Sequence, residues 1–409
     1  MRSARLAGAE VVGVAASSPE RAREAAAGLG VPHAYGSSEE AVAADGVDVV
    51  HICTPNDLHA PLAAAALAAG KHVVCEKPLA TTAAEAERVL AAADATDRVA
   101  TVPFVYRYNA MVFEARARVA AGEIGTVRLV HGGYLQDWLS TPEDDNWRVD
   151  PQRSGASRAF ADIGSHWCDL VEFVTGQRIA AVCAQTATVV PERADRGNAP
   201  AFAAEDRARP PGARRAVVTE DLATVLFRTD GGVVGTMLVS QVSPGRKNHL
   251  HLEISGSDAS LRFEQEHPET LWIGRRAHNE TVWRDPAALH ASARRVSSLP
   301  PGHAEGYTGC FEAFVRDTYA AIGGEQPDGL PHFADGARSM RVVDAVLASA
   351  GAGATWVRLI PRGQTGRDQT LTQVAPAPAD VSTASTTRIE RAPSANRGSP
   401  SGCSPPIAA

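Results

Sequence analysis

The segment Val49–Cys75, VVHICTPNDLHAPLAAAALAAGKHVVC, constrains the fold more than any other. Two apolar runs, Val49–Cys53 and His72–Cys75, flank an alanine-rich run from His59 to Ala69 that stops at Gly70. Strands without a polar face need cover on both sides, which a parallel sheet with crossover helices provides. The pattern therefore predicts strand, helix and parallel strand. Ligands of such sheets bind beyond the carboxyl ends of the strands, here Thr54-Pro55-Asn56 and Glu76-Lys77. Lys77 is conspicuous at that place. Of 40 basic residues only Lys71, Lys77 and Lys247 are lysines, and Lys77 is followed by Pro78.

The alternation extends to both sides. Met1–Leu6 reads as a helix end stopped at Gly8, Glu10–Ala15 as a strand, and Pro19–Leu29 as a helix capped by Ser18. Thr82–Ala93 is a further helix, with Thr81 or Thr82 as cap, and Val99–Val105 another buried strand. Strand and helix in turn predict a doubly wound sheet of the Rossmann type. Such a sheet begins with a strand that turns through a glycine-rich loop into its first helix. No GxGxxG occurs near the start, and the chain opens inside what would be that helix. The expectation is a dinucleotide-binding fold lacking its first strand and glycine loop, from a misplaced start or a degenerate gene. Weak or absent dinucleotide binding follows for a chain that starts at Met1.

From Tyr106 the pattern changes. Met111–Ala121 predicts a helix ended by Gly122, Thr126–Leu135 a half-buried strand, and Ser165–Thr175 a helix ended by Gly176. Alternating segments then run through Ile179–Val190, Ala223–Arg228, Val233–Val242, His249–Ser255, Leu261–Glu264 and Thr270–Ile273. Asp230-Gly231 is a hairpin signal between two of them. Glu192–Arg215, rich in Arg and Pro, reads as a surface loop. Thr308–Ile322 and Phe333–Ala350 are amphipathic helices, and Thr355–Ile360 a closing strand. The domain reading is 1–106 for the incomplete dinucleotide-binding unit and 107–360 for an α+β unit with a large, mostly antiparallel open sheet. Residues 361–409 hold no aromatic side chain and read as a disordered tail.

Bulk properties narrow the function. A net charge of −7 argues against nucleic acid, which demands a basic face. No apolar run approaches the roughly 18 residues of a membrane span. Arg2 and Arg5 before an apolar stretch resemble a signal peptide only superficially, because Glu10 interrupts the stretch. The six cysteines are scattered without metal-ligand spacing, as reduced thiols of a cytoplasmic protein would be. No metal motif appears.

Three groups of residues could do chemistry. Lys77, at a strand's carboxyl end, could hydrogen-bond a reacting oxygen and favour a developing alkoxide. Asp162 and His166, four apart in ADIGSHW, can share a helix face, with the histidine moving a hydroxyl proton and the carboxylate orienting it. At the end of the second strand, Ala15-Ala16-Ser17-Ser18 lacks the acid that binds the ribose of NAD, while Arg21 follows, which favours NADP(H). Trp147-Arg148 could lie over a cofactor. His33, His51, His249 and His251 have no partner in the sequence and read as structural.

With CTPNDLHAPLAAAALAAGKHVVCEKPL and ADIGSHWCDL in this order, the chain resembles the Gfo/Idh/MocA family of NAD(P)-dependent sugar and polyol dehydrogenases, from about Arg2 to Leu359. WRVDPQRSG, EGYTGCFEAFVRD and PHFADGARSMRVVDAVLAS add weaker support. The resemblance implies a catalytic Lys77 and a general acid/base His166 supported by Asp162. It implies cofactor contacts from Thr54, Pro55, Asn56, His59 and Glu76, and from Trp147 and Arg148. It also implies a homo-oligomer, dimer or tetramer, built through the second sheet. Two other readings stay open: a cofactor-sensing regulator without turnover, and a relative that cleaves glycosides by transient oxidation.

Overall fold

A computed structural model describes residues 1–195 and 213–359. The tail 361–409 and the middle of the 192–215 insertion lie outside the described residues. The chain opens with α1 (Arg2–Leu6), β1 (Gly13–Val14), α2 (Pro19–Leu29), β2 (His33–Ala34) and α3 (Ser38–Ala43). It continues with β3 (Val49–Ile52), α4 (His59–Ala68), β4 (His72–Cys75), α5 (Ala83–Asp94) and β5 (Ala100–Thr101). Local chemistry sets these limits. Ser18 accepts from the Arg21 amide and Thr82 from the Glu85 amide, each satisfying a free N–H of its helix. Gly30 ends α2 in the left-handed region that glycine enters without strain.

All these strands pair in parallel, but in two separate ladders, β1-β2 and β3-β4-β5. In a dinucleotide-binding sheet another strand lies between these two groups. Among the described residues none does, so the doubly wound sheet expected from the alternation is split at that place. Two strands are also shorter than the apolar runs that announce them. β1 keeps only Gly13–Val14 of Glu10–Ala15, and β5 only Ala100–Thr101 of Val99–Val105. Beyond β5, Val102 donates to the Pro331 carbonyl, and Pro103 has no N–H to continue a ladder. The chain then coils into a 3₁₀ turn, Val105–Tyr108.

The second half is built on one nine-stranded sheet. Its elements in chain order are α6 (Ala110–Ala120), β6 (Val127–Leu135), α7 (Pro151–Ser154), α8 (Ser165–Thr175), β7 (Ile179–Ala187), β8 (Glu192–Ala194) and β9 (Arg214–Ala216). There follow β10 (Leu222–Thr229), β11 (Val234–Ser240), β12 (His249–Gly256), β13 (Ser260–Glu264), β14 (Thr270–Gly274) and β15 (Asn279–Trp283). The chain closes with α9 (Ala291–Val296), α10 (Tyr307–Ile322), α11 (Phe333–Gly351) and β16 (Val357–Arg358). The strand order is β15-β14-β13-β12-β6-β11-β10-β7-β16, antiparallel except where β11 runs parallel to β6. Gly132 and Gly133 of β6 permit the close approach of its two neighbours, β12 and β11. A Cβ at Gly132 would stand 2.2 Å from the His251 carbonyl oxygen, and one at Gly133 2.3 Å from that of Leu238.

Helix α8 lies on β6 and β12, α6 on β13, and α11 on β7 and α5. Most buried apolar side chains from Ala4 to Val346 form one continuous cluster, and Leu139, Val149 and Val217 form a small second one. On the opposite face β10 and β11 expose Leu226, Val234 and Leu238. The Glu192–Arg215 insertion is not wholly a surface loop. Its ends pair as β8 and β9, and Arg193 is fully buried, donating to the carbonyls of Leu139, Thr141 and Asp144 and to Asp221. A run of arginines reads as solvated in sequence because those acceptors come from elsewhere in the chain.

Candidate active site

Strand β4 delivers Glu76 and Lys77 to its carboxyl end, and the Lys77–Pro78 peptide is cis. Asp162 approaches from a different element. Residues Phe160–Gly164 form a single π-turn that leads into α8, a wider turn frequent at functional sites. Lys77 Nζ donates to Asp162 Oδ1 at 2.7 Å and to the Asp162 carbonyl at 2.8 Å. Gln241 Nε2 donates to the other carboxylate oxygen at 2.8 Å, and Arg148 Nε stands 3.5 Å from Oδ1. The pair is nearly buried, with 14% and 17% of the two side chains exposed. Burial alone raises a carboxyl's pKa; here the Lys77 ammonium, joined by Arg148, outweighs it and holds Asp162 well below the usual range.

His166 lies one turn on, in α8, and is 7% exposed. Asp162 and His166 make no hydrogen bond, since both carboxylate oxygens are engaged by Lys77 and Gln241. The expected i,i+4 pairing is replaced because the π-turn and the neighbouring strands offer the carboxylate stronger donors. His166 Nδ1 is buried and makes no hydrogen bond. Its ring meets those of Tyr106 at 4.9 Å and Phe104 at 5.8 Å, both edge-on. Burial, reinforced by the Lys77 charge and only partly offset by Asp162, drives its pKa well below that of free imidazole. The ring is therefore neutral near pH 7.

Around His166 runs a closed hydrogen-bond circuit that sequence reading missed. Asn248 Nδ2 donates to Tyr106 Oη at 3.1 Å, the two tyrosine hydroxyls are 2.6 Å apart, and Tyr134 Oη donates to Asn248 Oδ1. The outer two bonds orient the middle one: Tyr106 donates to Tyr134. Gln136 Nε2 also reaches Asn248 Oδ1 at 3.1 Å, and Trp138 Nε1 reaches Gln136 Oε1 at 2.9 Å. Burial raises the pKa of both tyrosines, so the hydroxyls stay protonated. The available signal was Tyr106, which follows a parallel strand at its carboxyl end. Tyr134, Gln241 and Asn248 carry no such mark, because strands distant in sequence bring them in.

The expected cofactor residues cluster at the carboxyl ends of β1, β3 and β4 with differing exposure. Thr54 Oγ1 is buried without a hydrogen bond. Asn56 Nδ2 donates to the Ser154 carbonyl at 3.1 Å, tying the turn after Pro55 to the 147–155 loop. Gly155, with φ near +92°, passes that loop against Thr81. Glu76 accepts from the Lys77 amide, and burial raises its pKa against the pull of Lys77. Arg148 stacks over Trp147 at 4.5 Å while approaching Asp162. At β1, Arg21 Nη1 donates to Ser17 Oγ at 3.3 Å, and Ser18 is spent as the helix cap.

His59 is placed beneath this surface rather than on it. It is 1% exposed, with Nδ1 2.7 Å from the Pro78 carbonyl and Nε2 2.9 Å from the Thr54 carbonyl. Each ring nitrogen faces a carbonyl, and the single N–H of the neutral ring donates to one of them, so the side chain sits between the two loops with neither nitrogen open to a ligand. Burial lowers its pKa, and the two carbonyl acceptors oppose that fall.

Residues 2–104 match the model of an oxidoreductase family with an NAD-binding Rossmann fold, and residues 112–262 match the GFO/IDH/MocA C-terminal domain. The chain is 33% identical over 353 residues to levoglucosan dehydrogenase of Pseudarthrobacter phenanthrenivorans, covering 84% of this chain and 88% of that protein. The structure of a levoglucosan dehydrogenase in complex with NADH and levoglucosan superposes with a TM-score of 0.76 at 30% identity, over 85% of this chain and 90% of that one. An inositol dehydrogenase homologue from Azotobacter vinelandii, complexed with NAD+, gives a TM-score of 0.74 at 30% identity, over 87% and 93%.

Proposed function

Because the chain belongs to the Gfo/Idh/MocA family of NAD-binding oxidoreductases, we propose that it interconverts a cyclic sugar or polyol and its oxidised form, with Lys77, Asp162 and His166 at the reacting carbon. The observation that carries this reading is the junction of three groups: an ammonium held by a carboxylate, a neutral buried imidazole, and a ring of hydroxyl and amide groups beside it. Relatives that act on levoglucosan and inositol point to the same substrate class.

A nicotinamide dinucleotide suits the residues beyond β3 and β4. The unpartnered Thr54 hydroxyl is a free hydrogen-bonding group there, and Glu76, Trp147 and Arg148 border the same edge. Thr54, Pro55, Asn56 and Glu76 would hold its nicotinamide half, and Ser17 with Arg21 its adenosine ribose. Arg21 and the lack of a carboxylate at Ala15–Ser18 favour NADP(H) over NAD(H). When bound, the dinucleotide supplies the two-electron oxidant or reductant. No glycine-rich turn for the pyrophosphate occurs at β1 among the described residues.

The chain's own groups account for the proton and the charge. In oxidation, neutral His166 accepts the substrate hydroxyl proton; in reduction, it returns that proton to the nascent alkoxide. The Lys77 ammonium, fixed by Asp162, hydrogen-bonds the same oxygen and stabilises its negative charge. Gln241 holds the second oxygen of Asp162 and so fixes the direction in which Lys77 points. The Tyr106–Tyr134–Asn248 circuit offers polar edges and aromatic faces suited to a ring bearing several hydroxyls.

The test is steady-state kinetics of Lys77→Ala and His166→Ala on a panel of cyclic sugars and inositols with both cofactors. Each variant should lose roughly 10²–10⁴-fold in kcat while circular dichroism stays that of the wild type. Rates within threefold of wild type in either variant would remove that residue from the mechanism.

A further inference from the structure

Beside the tyrosine circuit, on the rim of the large sheet, three side chains converge in a way the proposed reaction does not use. His249, the first residue of β12, has a side chain 8% exposed, and its buried Nδ1 makes no hydrogen bond. Glu264 Oε1, at the end of β13, lies 3.4 Å from that nitrogen, and Glu266 Oε2 lies 3.3 Å from it. The three donor atoms all fall within 4.8 Å of one another. We propose that His249, Glu264 and Glu266 form a binding site for a divalent transition-metal ion of the zinc class.

The distances suit an ion. Donors held about 2.0–2.2 Å from a tetrahedral centre stand roughly 3.3–3.6 Å apart, which is the spacing of both nitrogen–oxygen pairs. One imidazole and two carboxylates are a donor set that zinc accepts, whereas calcium and magnesium favour all-oxygen sites. The surrounding contacts orient the donors. Glu264 Oε2 is taken by Arg262 Nη2 at 2.8 Å, which leaves Oε1 toward His249. Glu266 Oε1 accepts from the Asn248 amide at 3.0 Å, which leaves Oε2 toward His249. Each carboxylate thus has one oxygen tied by a neighbouring donor and the other facing the unpartnered nitrogen, the outer-shell arrangement typical of metal sites; Glu264 Oε1 also meets the exposed His267 Nδ1 at 3.1 Å, a contact the ion would replace. The Asn248 amide that steadies Glu266 belongs to the residue that closes the tyrosine circuit, so a bound ion would stiffen the substrate side without touching the reacting carbon.

The test uses the full chain without a histidine tag, stripped with EDTA and equilibrated with zinc chloride at about 10 μM, with bound metal read by mass spectrometry. The expected result is close to one zinc per wild-type chain and a tenfold or greater loss in Glu266→Gln, an exposed substitution that leaves the core alone, and in His249→Gln. Zinc should also raise the wild-type melting temperature by roughly 3–4 °C at a hundredfold excess over Kd, and leave Glu266→Gln unmoved. Wild-type protein that binds less than about a tenth of an equivalent, or Glu266→Gln that binds as much as wild type, would overturn the site.

Discussion

Replacing Asp162 with asparagine separates the charge of this side chain from its shape. The amide keeps the volume and one oxygen acceptor, and Lys77 keeps its bond to the residue 162 carbonyl. What is lost is the ionic contact at 2.7 Å. Removing one partner of a fully buried pair costs about 3–5 kcal/mol. Here the two side chains retain some contact with water and one acceptor survives, so about 2–3 kcal/mol is expected near pH 7. With an unfolding entropy of roughly 0.7 kcal/mol/K for a chain of this size, the melting temperature should fall by about 3–4 °C. The same gap carries a pH signature. The Asp162 carboxyl is held below its ordinary pKa in the folded protein, so its contribution is full above the unfolded value of about 3.9 and is lost as the pH falls through and below it. Urea unfolding of both proteins should therefore give a constant difference between pH 7 and 5, shrinking by about 1.3 kcal/mol at pH 3. Misdirection of Lys77 should lower kcat roughly 10²-fold alongside. A stability gap under about 0.5 kcal/mol at pH 7, or one that is as large at pH 3, would refute the ionic account of Asp162.

Three further outcomes are expected. His59→Leu removes the one N–H that the neutral ring can give to the Thr54 or the Pro78 carbonyl, so stability should drop by about 1–3 kcal/mol and NADPH affinity by about tenfold, measured by urea unfolding and fluorescence titration; unchanged affinity would mean the two loops hold their places without the histidine. Arg21→Ala should raise the KM for NADP(H) about tenfold and leave that for NAD(H) within twofold, and equal changes in both would remove the ribose-end role. Leu238→Glu places a charge on the open apolar face of β10 and β11, where Leu226 and Val234 are also exposed. If that face joins copies of the chain, light scattering should find a wild-type oligomer and a variant monomer; a monomeric wild type would end that reading.

The sequence by itself determined whatever depends on neighbours along the chain. The caps Ser18 and Thr82, the stops at Gly70, Gly122 and Gly176, and the hairpin at Asp230-Gly231 are local devices, and the elements they bound lie where the pattern placed them. Lys77 was legible for the same reason: a parallel strand points its last residues at the ligand edge, wherever the rest of the chain goes. Asp162 and His166 were legible as residues but not as a pair, because four positions of spacing say nothing of which donors arrive from β4 and the stretch after β11. Only the tertiary structure decided that the carboxylate turns to Lys77 and Gln241, that His59 lies beneath the cofactor edge, and that Tyr106, Tyr134 and Asn248 close a circuit. His249 shows the same limit. The sequence offers it no partner, and a strand register of the folded sheet sets two carboxylates beside it. Hydrogen bonds and ion pairs act over a few ångströms of space, and for residues distant in sequence only the packed sheet decides which of them come that close.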